Sequence, residues 1–258
     1  MTGHAGGPDL AGHADVAGRR VVITGAGRGL GRILAEAFDA AGAHLGLVAR
    51  SRDSLEDVAA SLTHEPLVAA GDVRDPEFNE AVADGMLARF GGLDVWICNA
   101  AVSPEVATVA DTKPETWREI VDVNLTGVYL GARAAATVMD PGGRIIVTGS
   151  VLGERPRGGL AAYSASKAGV QAFVGSLAQE LGPRGITANT VALGWFDTGL
   201  GAYWHRHAER GDEIARHTAL ERWGTPADLP GVYLFLASAS SAYVTGTTIT
   251  VDGGYSLL

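Results

Sequence analysis

Tyr163 and Lys167 stand four residues apart in Tyr163-Ser164-Ala165-Ser166-Lys167, and Lys167 is one of two lysines among twenty basic residues, the other being Lys113. Arginine serves almost everywhere else, so a lysine here points to a need for a compact ammonium that can reach a neighbour rather than for a planar fork. Residues four apart on a helix share a face, which puts phenol and ammonium on the same side. A free phenol titrates near ~10 and transfers protons poorly at neutral pH. A nearby cation favours phenolate, and a helix N-terminus adds a smaller push in the same direction. The pair therefore predicts a Tyr163 pKa lowered by about two or three units, enough for general acid/base work on a carbonyl or alcohol oxygen. By itself a Tyr-x-x-x-Lys pair also describes a snorkelling surface contact.

A second motif lies upstream. The β-branched run Val21-Val22-Ile23 ends at Thr24-Gly25-Ala26-Gly27-Arg28-Gly29-Leu30-Gly31, and the helical pattern Ile33, Leu34, Ala37, Phe38 follows. Strand, glycine loop and helix start in that order let a backbone approach a pyrophosphate closely and offer it unpaired N–H groups. With 36 glycines in the chain, the loop alone would be weak; the strand before and the helix after are the context it requires.

These residues need a scaffold. Short apolar runs at 20–24, 43–48, 67–70, 95–98, 143–148, 187–192 and 247–251 predict seven strands. Helices are predicted at 29–42, 52–62, 76–90, 115–138, 161–181 and 227–237. Such alternation predicts an α/β fold, a doubly wound parallel sheet of Rossmann type covered by helices on both faces. No linker divides the chain, so residues 16–258 are expected to form one domain behind a mobile extension at 1–15. Ligands of such a sheet sit beyond the carboxyl ends of its strands. The residues there are Gly25 to Gly31, Arg50, Asp72, Asn99 to Ala101, Ser150, and Leu193 to Thr198.

Composition narrows the class. A formal charge of −9 with dispersed arginines argues against nucleic acid or an anionic membrane as partner. The first residues lack the apolar core of a secretory signal, and the uncharged stretch 229–251 is interrupted by Pro230, Gly231 and Gly246, which fits helix, turn and strand better than a span. Cys98 is the only cysteine, so no intrachain disulfide can form, and a cytoplasmic location is expected. His205, His207 and His217 lack a completing Cys or carboxylate at ligand spacing, so no metal site is expected.

Taken together the chain resembles the short-chain dehydrogenase/reductase family from Val16 to Tyr255. Thr24-Gly25-x-x-x-Gly29-x-Gly31 is similar to its cofactor loop. Asn99-Ala100-Ala101 is similar to its Asn-Ala-Gly signature, Asn124 stands in Asp122-Val123-Asn124-Leu125-Thr126-Gly127, and Ser150 precedes Tyr163 by thirteen residues. The resemblance implies that Ser150 binds the substrate oxygen and Tyr163 transfers the proton. It gives Lys167 the nicotinamide ribose hydroxyls and the phenol pKa, and has Asn124 hold a water linking Lys167 to solvent. It also implies a homotetramer or dimer, with the helices at 115–138 and 161–181 and the segment after Thr245 at interfaces. Two positions depart: Leu193-Gly194 replaces Pro-Gly, removing a rigid φ, and Ala101 replaces Gly, adding a methyl that calls for a permissive backbone angle.

Charge decides the expected cofactor. Ala49 occupies the place where NAD-preferring members carry Asp, Arg50 follows it, and Arg28 adds a cation from the loop. NADP(H) is therefore expected over NAD(H). Asp72 and Val73 resemble the pair that holds the adenine, although Asp72 is also a candidate cap for the helix at Pro76. Gly194 and Thr198 would meet the carboxamide. The expected lid at 195–218 carries Trp195, Phe196, Tyr203 and Trp204, which with Ser150 and Leu152 suggest an apolar or ring-bearing substrate; packing of half these aromatics onto their own domain is the competing reading. Arg155 and Arg157 fit either an anionic substrate group or a solvated cluster with Glu154. A ketoreductase acting on a cyclic or 3-oxoacyl ketone is the leading expectation, and a non-catalytic NADP-sensing regulator on the same fold is the alternative.

Overall fold

The computed structural model describes residues 16–103, 106–198 and 208–258. The extension at 1–15 and the lid residues Tyr203, Trp204, His205 and His207 lie outside the described residues. Seven parallel strands form one sheet in the order β3-β2-β1-β4-β5-β6-β7. They are β1 Arg20–Thr24, β2 His44–Ala49, β3 Leu67–Ala70, β4 Val95–Cys98, β5 Arg144–Ser150, β6 Thr187–Leu193 and β7 Thr248–Val251. The chain winds one way from β1 to β3, then crosses to β4 and winds the other way. The connections leaving β1 and β4 part there, which opens a crevice at their carboxyl ends.

Both sheet faces are covered, which explains why the strands carry near-continuous apolar runs rather than alternating ones. Side chains still alternate in direction. Val21 and Ile23 pack with Leu34 and Phe38 of α1 (Gly29–Ala40), Leu55 and Val58 of α2 (Arg52–Ala59), and Tyr233 and Leu236 of α8 (Pro230–Ala237). Val22 and Trp96 face the opposite layer, built from α3 (Pro76–Phe90), α5 (Gly127–Val138) and α6 (Ala161–Leu181). At the end of the sheet remote from the crevice, Arg20 grips Asp94 through two guanidinium bonds of 2.7 Å, pinning β1 to β4.

Most element boundaries fall within two or three residues of the sequence expectation, and three departures are informative. The helix expected at 115–138 is α4 (Pro114–Val121), a π-helical stretch Asp122–Thr126 and then α5. The lid contains α7 (Ala208–Arg216), which its polar composition concealed. Asp75, not Asp72, caps α3 by accepting the amides of Glu77 and Phe78, ahead of Pro76 in the first turn.

Candidate active site

The crevice is a cavity of about 740 Å³, and it collects almost every residue singled out in the sequence. Its floor is the turn from β1 into α1. Gly25 adopts φ +68, and a Cβ there would come within 2.9 Å of the Ala100 backbone. A Cβ on Gly31 would run into the Gly25 carbonyl, so a side chain at either place would push the two loops apart. Thr24 lies beneath, 3 % exposed, outside the cavity lining. Its hydroxyl donates to Ile97 O and accepts from the amides of Asn99 (2.9 Å) and Ala100 (3.0 Å), while the Asn99 amide returns a bond to Thr24 O at 3.0 Å. Thr24 thus ties the loop after β1 to the loop after β4 and does not itself face a ligand.

The cradle has the chemistry a pyrophosphate needs. Arg28 precedes α1 without capping it through its side chain, and the first helical turn carries no acidic residue. The orphan N–H groups face the cavity through Gly29, Leu30 and Gly31, with the positive end of the helix dipole behind them. At the end of β2, Ala49, Arg50, Ser51 and Ser54 join Arg28 around one end of the cavity, with no carboxylate among these five. Asp72 lines the cavity with Val73, but Arg74 holds its carboxylate at 2.6 Å and keeps it below its usual pKa. These residues fit the adenosine half of a dinucleotide.

At the other end of the cavity Ser150, Tyr163 and Lys167 converge. Ser150 is the last residue of β5, and its hydroxyl accepts the Leu152 amide at 3.2 Å and lies near the Tyr163 phenol. Lys167 is 2 % exposed; its ammonium donates to Thr148 O at 2.8 Å and lies 5.7 Å from the centre of the Tyr163 ring. The expected depression of the phenol is not present. Burial pushes the Tyr163 pKa up to about 12, the nearby Ser150 hydroxyl only partly opposing it. Burial also lowers the Lys167 pKa to about 8. The spacing argument placed both groups on one helix face correctly but left out their shared desolvation, which disfavours both charged forms.

Asn124 sits in the π-helical stretch, fully buried behind the cavity wall. Its Oδ1 accepts the Val102 amide at 2.8 Å and its Nδ2 donates to Val102 O at 2.9 Å and Ser166 Oγ at 3.3 Å. The side chain thus ties the π-helical stretch to Val102 and Ser166. Ala101 has no left-handed backbone, because Glu221 is the only non-glycine with positive φ among the described residues; its methyl needs no permissive angle. Leu193 stays in β6, opposite Ser150 and Val251, where a proline would lack the strand's N–H.

Gly194, Thr198, Leu152 and Trp195 line the substrate end. Phe196 reaches the lining but is 5 % exposed and packs in the core, against Gly224. One of the two described lid aromatics therefore packs inward, and Trp195 is half-buried and lines the cavity. Arg155 and Arg157 are outside the lining. Among the lining residues that sequence reasoning missed are Ser51, Ser54, Thr148, Leu160 and Val102. Thr148 had a signal, a hydroxyl directly after the apolar run Ile145-Ile146-Val147; Leu160 and Val102 had none, lying in loops with no periodicity. Among the described residues no group of three His, Cys, Asp or Glu is placed to hold a metal ion, and no helix is long and apolar enough to cross a membrane.

Comparison with known proteins gives a consistent result. Residues 25–256 match the family described as Enoyl-(Acyl carrier protein) reductase. The chain is 37 % identical to 3beta-hydroxysteroid dehydrogenase 1 of Eggerthella lenta over 255 residues, covering 94 % of this chain and 95 % of the relative. It is 34 % identical to 3-oxoacyl-[acyl-carrier-protein] reductase FabG of Escherichia coli, over 92 % of this chain and 97 % of the other. A crystal structure from Beutenbergia cavernae, assigned as an NAD(P) dependent gluconate 5-dehydrogenase with NADP bound at low occupancy, superimposes with TM-score 0.89 at 33 % identity, covering 96 % of this chain and all of that one.

Proposed function

The chain belongs to the short-chain dehydrogenase/reductase family, and from that premise we propose that it is an NADP(H)-dependent oxidoreductase interconverting a ketone and a secondary alcohol. The observation that carries this reading is the convergence of Ser150, Tyr163 and Lys167 on the same cavity as the glycine cradle of α1. The nicotinamide supplies or accepts the hydride. Gly25 to Gly31 hold the pyrophosphate, Arg28 and Arg50 the adenosine 2′-phosphate, and Asp72 and Val73 border the adenine. Asn99 to Ala101, Gly194 and Thr198 flank the nicotinamide half.

In reduction, Ser150 donates to the carbonyl oxygen and Tyr163 gives its proton to the alkoxide that develops there. Burial suits this direction, because a phenol pushed up to about 12 is fully protonated at neutral pH. Lys167 binds the ribose hydroxyls and supplies the positive charge that stabilises the phenolate left behind. Asn124 holds the main chain at Val102 and so supports the cavity wall. In oxidation the same proton moves back.

Substrate candidates are an apolar or ring-bearing ketone and a 3-oxoacyl group, classes named in the two enzyme relatives above. Residues 16–258 would act as one catalytic domain, in the cytoplasm, as a homotetramer or dimer; exposed Trp117 on α4, Tyr129 on α5 and Leu257 support self-association. Sedimentation at micromolar concentration tests that assembly, a lone 26.6 kDa species excluding it. The activity is tested by NADPH consumption across a ketone panel. Tight NADPH binding with no turnover of any ketone or secondary alcohol would favour the sensing regulator instead.

A further inference from the structure

The segment beyond β7 folds back on the substrate end. Asp252 closes it into a hook, accepting the amides of Gly254 at 2.8 Å and Ser256 at 2.7 Å. Gly194 N donates to Val251 O at 2.9 Å, and a Cβ on Gly194 would strike the Asp252 side chain. The turn that borders the nicotinamide half therefore packs directly on the hook. Tyr255 meets Trp195 edge to face with centroids 6.1 Å apart, and Trp223 meets Trp195 in the same manner at 5.9 Å. Trp223 is itself anchored, its Nε1 donating to Gly211 O of α7 at 2.9 Å. The hook is fastened to the loop after β5 as well, where Arg155 donates to Leu258 O at 3.0 Å.

Trp195 is thus an apolar part of the lining braced by two aromatic rings, and it shares the cavity with Leu152 and Leu160. The charged residues lining the cavity are Arg28, Arg50, Asp72 and Lys167, and the first three belong to the cofactor end. Among the described residues, only hydroxyls add polarity at the substrate end. An anionic ketone would lose hydration there with only the Lys167 ammonium, already bonded to Thr148 O, as a charged partner among the described residues.

We propose that the hook 252–258 is the specificity element of the site: Tyr255 is a positioning residue that fixes Trp195 as the wall against which an uncharged ring ketone lies. This deepens the reductase reading and rests on it.

The experiment compares wild type, Tyr255→Ala and Tyr255→Phe with 1-decalone, 5-ketogluconate, an acetoacetyl thioester and acetone. Wild type is expected to favour 1-decalone. Tyr255→Ala should raise its KM about 3- to 10-fold, the range of one aromatic pair, with kcat and the KM for acetone unmoved, and Tyr255→Phe should restore it. Equal or better use of 5-ketogluconate or the thioester, or an effect of Tyr255→Ala on every ketone alike, overturns the inference and leaves the reductase reading standing. Tryptophan fluorescence quenched by 1-decalone, and no longer quenched in Trp195→Phe, reads binding without turnover. A protein that binds 1-decalone in this way yet consumes no NADPH defeats the reductase reading alone, whereas absence of such quenching defeats the inference.

Discussion

The Lys167 ammonium is bonded to the main-chain carbonyl of Thr148, at 2.8 Å, on the strand that ends in Ser150. The hydroxyl of the same Thr148 donates to Asn99 Oδ1 at 3.3 Å and accepts from the Tyr233 phenol at 2.9 Å. One threonine therefore links the lysine to the loop after β4, so the charge and the cofactor cradle share a support. Burial governs the result: the ammonium sits in a desolvated place with a carbonyl for company and no carboxylate among the partners identified.

That placement makes stability depend on pH in a definite direction. The Lys167 pKa is lowered to about 8 in the folded chain from 10.5, so between those values the unfolded state holds the extra proton and stability rises with pH. The contribution is fully present above 10.5 and is lost as pH falls through about 8. Compared with Lys167→Met, wild type should gain up to about 3 kcal/mol between pH 7 and pH 10.5. Urea midpoints of both proteins across that range check it; parallel curves would refute the buried ammonium.

Tyr163→Phe removes the proton donor and little else, since the ring and its packing remain. Loss of general acid catalysis should lower kcat by about 10²- to 10⁴-fold. NADPH affinity, measured by fluorescence titration, should stay within about twofold because the phenol's proton is used at the substrate oxygen. Near-normal turnover would remove Tyr163 from the mechanism.

Arg50→Asp reverses the charge at the exposed end of the cofactor cleft. A guanidinium bonded to a phosphate contributes about 1.5–3 kcal/mol, so kcat/KM with NADPH should fall roughly 10- to 100-fold. With NADH it should rise, because a carboxylate can accept from the free ribose hydroxyls. The ratio of the two efficiencies is the measurement, and an unchanged ratio would mean that Arg50 does not read the 2′-phosphate.

What was legible in the sequence was what periodicity and glycine placement encode. The seven strands, the cradle at Gly25 to Gly31 and the approach of Ser150 to Tyr163 follow from local patterns that the sheet merely assembles. The misses have physical causes. The π-helical stretch at Asp122–Thr126 carries no composition signal of its own, because the residues there are ordinary helix residues. The phenol pKa depended on how deeply a group lies, which spacing along a helix does not report. Phe196 and Trp195 are adjacent and chemically alike, and only the bridge of Phe196 to Gly224 turns one inward.

Asn124 tests whether that π-helical stretch serves the site. Its amide gives Val102 both a donor and an acceptor, at 2.9 and 2.8 Å. Asn124→Ala would leave that N–H and C=O without protein partners, but Val102 is half-buried, so water recovers part of the loss and the cost should be about 1–3 kcal/mol. Because Ala100, Ala101 and Val102 line the cavity, the loosened segment should also raise the KM for NADPH several-fold while leaving the pH dependence of kcat where it was. Asn124→Asp keeps the acceptor for the Val102 amide but sets a carboxylate against Val102 O, so it should destabilise more than alanine. Thermal midpoints together with NADPH titrations of the two variants decide it: a stability loss with cofactor binding intact would make Asn124 a fold residue alone, and loss of both places the π-helical stretch in service of the cofactor wall.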